Sequence, residues 1–315
     1  MSAVLAAPAE TRSSRFTRYA WGVLAWNLLV VLWGAYVRAS GSGAGCGSHW
    51  PLCNGEVVPR AAQIETIIEF THRMMSGVAF LGVLALVFWS RSLFPRGHRA
   101  RRAAMASFVF LIVEALLGAG LVLFQYVTTN ASVGRAIYLS MHLVNTQLLL
   151  AMLAMTAWFS RYKSPVFARP SGLAMTSPLA LVLLVSVTGA ITALGDTLFP
   201  ATSLAQGMRQ DVAEGASFLL RLRVVHPVLA IATAVVILYL VIRLLRSNPE
   251  PTMVRIGVSI VVLTVAQLGA GVVSLVLLAP IGMQIVHLLI ADLLWIALVL
   301  LVVEGTATPG LGARD

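Results

Sequence analysis

Long apolar runs, separated by short segments rich in charged and turn-forming residues, dominate this chain. A helix that crosses the roughly 30 Å hydrocarbon core of a bilayer needs about 20 residues. Eight runs reach that length, so the pattern predicts an all-α membrane protein with eight transmembrane helices. The predicted helices cover residues 19–38, 66–89, 103–127, 137–159, 173–194, 219–242, 256–279 and 283–303.

Composition agrees with lipid as the main solvent. Hydrophobic residues make up 59% of the chain and charged residues only 11%, whereas soluble domains carry about 25% charged residues. A net charge of +10 would suggest nucleic acid in a soluble protein. Here the basic residues lie in short segments between apolar runs, which is typical of membrane topology. We therefore expect no nucleic-acid partner.

Lysine and arginine lie mainly on one side of the predicted helices. Fifteen of the 22 basic residues fall in the set of segments that contains both termini, and such segments are usually cytoplasmic. We predict a multi-pass protein of the inner (plasma) cell membrane with both termini in the cytoplasm. The loops 39–65, 128–136, 195–218 and 280–282 then face outward. The first run is too long for a signal-peptide core and is expected to remain as a helix.

Four short matches, in order along the chain, indicate duplication of a four-helix unit. Their offsets lie between 145 and 155 residues, and the matching positions are 34 and 189, 72 and 226, 116–120 and 267–271, and 142 and 287. Because four is even, both units keep one orientation, related by an axis along the membrane normal. The predicted parts are a cytoplasmic segment 1–18, an N-terminal four-helix bundle 19–160, a cytoplasmic linker 161–172, a pseudo-symmetric C-terminal bundle 173–303 and a cytoplasmic tail 304–315.

Four of the six histidines lie near the outward ends of predicted helices: His72, His142, His226 and His287. Ionisable residues inside a membrane are costly and usually functional, although a single histidine often only links two helices. Four at similar depth, two in each half, favour heme iron held by paired neutral imidazoles. Zinc fits less well, because cysteine or carboxylate partners are missing at the usual spacing.

The residues three positions before His72 and His226 differ in charge. Glu69 precedes His72 and shares its helix face, whereas Arg223 precedes His226. Glu69 could act as a general acid and base, or it could only pair with Arg73 at the membrane interface.

The remaining charged residues inside or beside the helices receive weaker assignments. Arg221 and Arg223 are candidate contacts for heme propionates. Glu114 and Asp292 are the other carboxylates inside predicted helices; each could hydrogen-bond between helices, and neither is assigned a role.

Two cysteines, Cys46 and Cys53, lie in the first outward loop with six residues between them. An oxidising compartment permits a disulfide, and Pro51 with the flanking glycines favours a turn that brings the pair together. A metal site would need more ligands than these cysteines and the nearby His49. A disulfide is therefore favoured, either structural or redox-active.

The cysteine loop and the helix after it resemble those of heme A synthases, in the bacterial form that carries a cysteine pair. The matching pieces are Gly41–Cys46, Trp50–Gly55 and Glu69–Arg73, followed by His142, His226 and His287. The resemblance covers about residues 19–303, nearly the whole chain.

The resemblance implies an oxidoreductase that converts the C8 methyl group of heme O into the formyl group of heme A, the cofactor of terminal cytochrome oxidases, with oxygen derived from water. It implies the following roles: catalysis by Glu69, axial ligation of the substrate heme by His72 and His142, axial ligation of a cofactor heme b by His226 and His287, and a disulfide between Cys46 and Cys53. The expected partners are membrane lipid, heme O, a heme O synthase and an electron acceptor. The sequence leaves open whether the chain forms a homo-oligomer.

Three other functions were weighed. A b-type cytochrome with two bis-histidine hemes would use the same four histidines for electron transfer alone; Glu69 and the cysteine loop favour the enzyme. A transporter with parallel repeats fits the duplication but leaves the matched histidines unexplained. A heme farnesyltransferase is disfavoured, because the sequence lacks clustered aspartates that could bind magnesium and diphosphate.

Overall fold

Eight long apolar helices form the body of the protein, which we describe from a computed structural model. The structure describes residues 6–60, 63–161, 166–167, 172–247, 250–305 and 307–308. The helices long and apolar enough to cross a membrane are α1 (Ala6–Ala39), α2 (Ile64–Leu93), α3 (Arg99–Leu123), α4 (Val133–Phe159), α5 (Gly172–Leu198), α7 (Phe218–Ser247), α8 (Pro251–Val276) and α9 (Ile281–Gly305). Each predicted run is confirmed as one helix, and most helices extend beyond the predicted bounds.

Several helices begin where the sequence supplies a cap. Ser132 and Ser203 each accept a backbone N–H of the following helix through the side-chain oxygen, as good N-cap residues do. His98 caps α3 through Nδ1. Pro251 occupies the first position of α8, where its missing N–H costs nothing.

A short helix, α6 (Leu204–Val212), lies in the third of the loops predicted to face outward. The sequence pattern predicted only a loop there. Leu204, Met208 and Val212 recur every four residues and are exposed on one face, which is the pattern of an amphipathic helix. That spacing, with Ser203 before it, was the signal that could have revealed α6.

A two-residue antiparallel β-pairing joins Val166–Phe167 to Ala307–Thr308. It links the predicted linker to the predicted tail, and the all-helical prediction did not include it. Most other residues of the linker 161–172 and of the tail 304–315 lie outside the described residues. At the other end of the chain, α1 begins at Ala6 and so includes much of the predicted segment 1–18.

The two halves of the chain share one hydrophobic core. Phe16, Leu86 and Leu150 from the first half and Ile237 and Leu298 from the second are buried in the same cluster. Consecutive long helices contact each other in both halves, and the halves meet through α1, α4, α5 and α9. This shared order of contacts agrees with a duplicated unit, while the symmetry relating the halves stays a prediction.

One end of the bundle carries the cysteine loop, and we call it the disulfide end. Arg38, in the last turn of α1, donates from Nη1 to the Ala193 carbonyl at 3.0 Å and from Nη2 to Gln284 Oε1 at 2.9 Å. These bonds join the two halves at this end. The helices make the chain a multi-pass membrane protein; which side faces the cytoplasm stays a prediction.

Candidate functional site

The four predicted histidine ligands lie at similar depth below the disulfide end. They occur on α2, α4, α7 and α9, six to nine residues after the first residue of each helix. At 1.5 Å per residue, this places all four roughly 9 to 14 Å along their helices. These positions agree with the common depth predicted from the sequence. They lie one to four residues further from the helix starts than expected, because the helices begin earlier.

Each of these histidine rings faces a glycine on the preceding long helix. The pairs are Gly34 with His72, Gly118 with His142, Gly189 with His226 and Gly271 with His287. A Cβ atom on Gly34 or Gly189 would lie 2.9 or 2.8 Å from Cε1 of its partner ring. An alanine there would displace the imidazole, since carbon atoms pack at about 3.5 to 4.0 Å. The duplicated element is thus a glycine and histidine pair across two helices.

The structure changes the expected register of one repeat match. The sequence match aligns Gly118 with Gly269, but Gly271 is the residue that faces His287, while a Cβ on Gly269 would meet nothing within 4 Å. A Cβ on Gly120 would lie 2.6 Å from Tyr138 instead. Gly118, Gly120 and Gly271 therefore make room for side chains of the neighbouring helix.

The histidine pair of the second half has the spacing of two ligands on one iron. The ring centres of His226 and His287 lie 6.5 Å apart with an interplanar angle of 85°. An iron held between two imidazole nitrogens at roughly 2 Å from each separates the ring centres by about 6 Å. His287 Nδ1 is buried without a hydrogen-bond partner among the described residues. The pair therefore fits a heme iron.

Polar side chains orient both rings of this second pair. Thr188 Oγ1 lies 3.2 Å from Nδ1 of His226, and Gln267 Nε2 lies 3.2 Å from Nε2 of His287. The Thr188 contact leaves Nε2 of His226 available to iron. The Gln267 amide contacts Nε2 of His287, so Nδ1 is the nitrogen of that ring without a partner among the described residues.

In the first half, a carboxylate contacts one histidine of the pair. His142 Nδ1 lies 2.9 Å from Glu114 Oε1. The same carboxylate accepts from Asn145 Nδ2 at 2.6 Å and from the Thr146 hydroxyl. His72 Nδ1 is buried and has no partner in the described part of the chain. The sequence assigned Glu114 no role, although an ionisable residue inside an apolar helix is usually functional.

Glu69 is buried and joins α2 to the cysteine loop. Its Oε1 lies 2.5 Å from Arg73 Nη2, and its Oε2 accepts the Cys46 N–H at 2.8 Å. Arg73 Nη1 in turn donates to loop carbonyls, those of His49, Pro51 and Leu52. The ion pair between Glu69 and Arg73, which the sequence left as an alternative, is therefore present. The acid/base role of Glu69 stays a prediction.

The cysteine loop packs tightly onto the first turn of α2. A Cβ on Gly45 would overlap the Glu65 carbonyl, and Thr66 Oγ1 donates to the Gly45 carbonyl at 2.7 Å. This close approach delivers the N–H of Cys46 to Glu69. Cys46 and Cys53 are buried and bonded to each other, which confirms the predicted disulfide.

The two arginines predicted to contact propionates have different surroundings. Arg223 forms ion pairs with Asp196 at 3.0 Å and with Asp211 at 3.3 Å, whereas Arg221 is exposed. Burial raises the pKa of the Asp211 carboxyl, and the charge of Arg223 opposes that rise. In this structure Arg223 links α5 and α6 to α7; its contact with a propionate stays a prediction.

Known proteins resemble this chain over most of its length. The pattern of the COX15-CtaA family, described as cytochrome oxidase assembly protein, matches residues 17–299. A protein of Thermus thermophilus named protoheme IX farnesyltransferase is 47% identical over 291 residues, covering 91% of this chain and 48% of that protein. The chain thus spans about half the length of this relative.

Proteins named heme A synthase match a shorter part. The one from Alkalihalophilus pseudofirmus is 43% identical over 97 residues, covering 31% of this chain and 33% of that protein. One from Bacillus cereus is 47% identical over 95 residues, covering 30% of each chain. With eight spanning helices and a family match over nearly all of them, this chain belongs to the COX15-CtaA family of cytochrome oxidase assembly proteins.

Proposed function

We propose that this chain is a heme A synthase, an oxidoreductase that converts heme O to heme A. The observation that carries the proposal is the chemical difference between the two histidine pairs. In the first half Glu114 contacts His142, and Glu69 lies one helical turn from His72. In the described residues of the second half, the partners of His226 and His287 are the neutral Thr188 and Gln267. Two sites that only passed electrons would not need a proton acceptor such as Glu69 beside one of them.

The proposed reaction defines what the site must do. Each of two hydroxylations of the C8 methyl carbon takes a hydroxyl group from water and releases two electrons and two protons. The resulting diol loses water and leaves the formyl group. The site must therefore hold the porphyrin edge, accept protons beside it and pass four electrons to a one-electron acceptor outside this chain.

His72 and His142 are the residues we assign to the substrate heme, with Gly34 and Gly118 making space beside their rings. Glu69 is assigned the proton transfer. Each of its two oxygens has one partner in the structure, and a carboxylate offers about four acceptor positions. Each oxygen of Glu69 therefore keeps an acceptor position for a proton or a water molecule.

His226 and His287 are the residues we assign to heme b, which supplies a one-electron relay when bound. Gly189 leaves room for the His226 ring, since a Cβ there would lie 2.8 Å from Cε1. Thr188 and Gln267 set the rotation of the two rings. In this assignment the second half receives electrons and carries out no chemistry on its porphyrin.

Farnesyl transfer is the competing assignment, because the Thermus relative carries that name. The name belongs to a protein about twice as long as the segment matched here. Enzymes that cleave a diphosphate with magnesium use carboxylates grouped around the metal. The four aspartates of this chain are scattered, at positions 196, 211, 292 and 315, and the first two pair with Arg223. We therefore assign the oxidative step to this chain.

We further propose that the disulfide end faces outward across the cell membrane. The basic residues concentrate at the opposite end, which favours a cytoplasmic location for that end. A membrane-impermeant maleimide applied to intact cells should label a cysteine introduced at exposed Val57 and spare one at exposed Arg96. Labelling of Arg96→Cys alone would reverse the orientation.

Heme extraction tests the proposed function directly. The chain is expressed in cells that make heme O but lack their own heme A synthase, and the extracted hemes are analysed by mass spectrometry. Heme A should appear. Heme O alone, with bound heme b, would identify an electron carrier. Formation of heme O in cells that otherwise stop at protoheme would identify a farnesyltransferase.

A further inference from the structure

We propose that Glu114 is a positioning residue that orients His142 and strengthens it as an iron ligand in the N-terminal site. The proposal rests on the proposed function only for the identity of the bound porphyrin as heme O. Its basis is the 2.9 Å contact between Glu114 Oε1 on α3 and His142 Nδ1 on α4.

The carboxylate is held rigidly on the face of α4 that carries His142. Asn145 Nδ2 donates to Oε2 at 2.6 Å, and the Thr146 hydroxyl donates to Oε1. Asn145 also donates to the Phe110 carbonyl of α3 at 2.9 Å. Three donors from little more than one turn of α4 therefore surround Glu114, so the carboxylate cannot swing away from the imidazole.

This contact selects which nitrogen of His142 is available. A histidine whose Nδ1–H donates to a carboxylate presents Nε2 as its basic nitrogen, and the carboxylate raises the basicity of that nitrogen. A more basic imidazole stabilises ferric iron more than ferrous iron. Glu114 would therefore lower the reduction potential of a heme iron held by His142.

In the second half a neutral amide takes the place of this carboxylate. Gly118 and Gly271, the glycines that face His142 and His287, are 153 residues apart. At that offset the position equivalent to Glu114 is Gln267. The side chain that reaches His287 from α8 is the amide of Gln267. A neutral amide does not raise ligand basicity as a carboxylate does. The first site should therefore have the lower reduction potential for the same porphyrin.

Glu114 also links α3 to α4, so a purely structural role must be separated from positioning. Asn145→Leu and Thr146→Val each remove a bond between the helices but leave the contact with His142. Glu114→Gln keeps the size of the side chain and removes its charge. A structural role predicts that all three variants lose thermal stability alike, with an unchanged reduction potential.

The test uses the full chain in lipid nanodiscs, with ferric protoheme as the probe. The heme signal that disappears in His142→Ala is assigned to the N-terminal site. We then measure three properties of that site: its affinity for heme, its reduction potential and its low-spin ferric electron paramagnetic resonance spectrum. Glu114→Gln should weaken ferric binding about 10- to 100-fold. Each tenfold loss specific to the ferric form raises the potential by about 59 mV. Gln267→Leu should leave this site unchanged.

Two outcomes overturn the inference: a Glu114→Gln protein with the parent potential and spectrum, or Asn145→Leu and Thr146→Val shifting the potential as much as Glu114→Gln. These outcomes are independent of the proposed function. If the parent chain forms no heme A but the potential depends on Glu114, the proposed function fails and the positioning role stands. If heme A forms and the potential does not shift, only the positioning role fails.

Discussion

Gln147 and Asp292 form a hydrogen bond across the boundary between the two halves, with Gln147 Nε2 donating to Asp292 Oδ1 at 2.8 Å. Each residue lies five positions after a candidate heme ligand, His142 on α4 and His287 on α9. Trp295 Nε1 adds a bond to the Gln147 carbonyl at 2.7 Å. The contact therefore ties together corresponding turns of the two repeats, little more than one turn further along the helices than His142 and His287.

Replacing Asp292 by leucine should destabilise the protein, because buried Gln147 would lose its hydrogen-bond partner. A buried polar group left without a partner costs about 1 to 3 kcal/mol. Asp292→Asn is the matched control, since its amide oxygen can still accept from Gln147. Thermal unfolding in detergent should show a lower midpoint for leucine and a near-parent midpoint for asparagine. Equal midpoints would mean that the bond contributes nothing.

Gly189→Ala should abolish the heme b spectrum assigned to the second half. The added Cβ would lie 2.8 Å from Cε1 of His226 and push the ring aside. Gly269→Ala is the control, because a Cβ there meets nothing within 4 Å. Absorption spectra of the purified proteins measure the effect. A normal spectrum for Gly189→Ala would remove His226 from the proposed ligands.

Glu69→Gln should eliminate heme A formation while the protein retains heme b. The amide keeps the shape of the side chain but cannot take up a proton in the reaction. Glu65→Gln, one turn earlier and exposed, is the control and should stay active. Mass spectrometry of the extracted hemes measures how much heme A each variant forms. Full activity of Glu69→Gln would mean that another residue transfers the proton.

Cys53→Ser should lower heme A formation with little change in bound heme b. Without the disulfide, the loop that presents the Cys46 N–H to Glu69 loses a covalent restraint. Asn54→Ala removes the 3.1 Å bond from its amide to the Gly45 carbonyl and places alanine at a left-handed φ of 53°. It serves as a change in the same loop that keeps the disulfide. If both variants form as much heme A as the parent protein, the disulfide is not needed to hold the loop against Glu69.

Elements that depend on local sequence were predictable. Helix length follows from the length of an apolar run, so the eight spans were found, with errors at their ends. The depth of His72, His142, His226 and His287 follows from their positions in those runs. The disulfide between Cys46 and Cys53 could be predicted because the loop between them is short. The helix α6 was missed because a short amphipathic segment gives a weak signal beside long apolar ones.

Contacts between helices were decided by the tertiary structure alone. A helix that is apolar on all sides gives little indication of which face meets a neighbour, and packing in lipid depends on the fit of small residues. The sequence therefore determined that four histidines and several carboxylates lie in the membrane at known depths. The rotation of each helix about its axis decided that Glu114 meets His142, that Glu69 meets the Cys46 N–H, and that Gly271 faces His287 in place of Gly269.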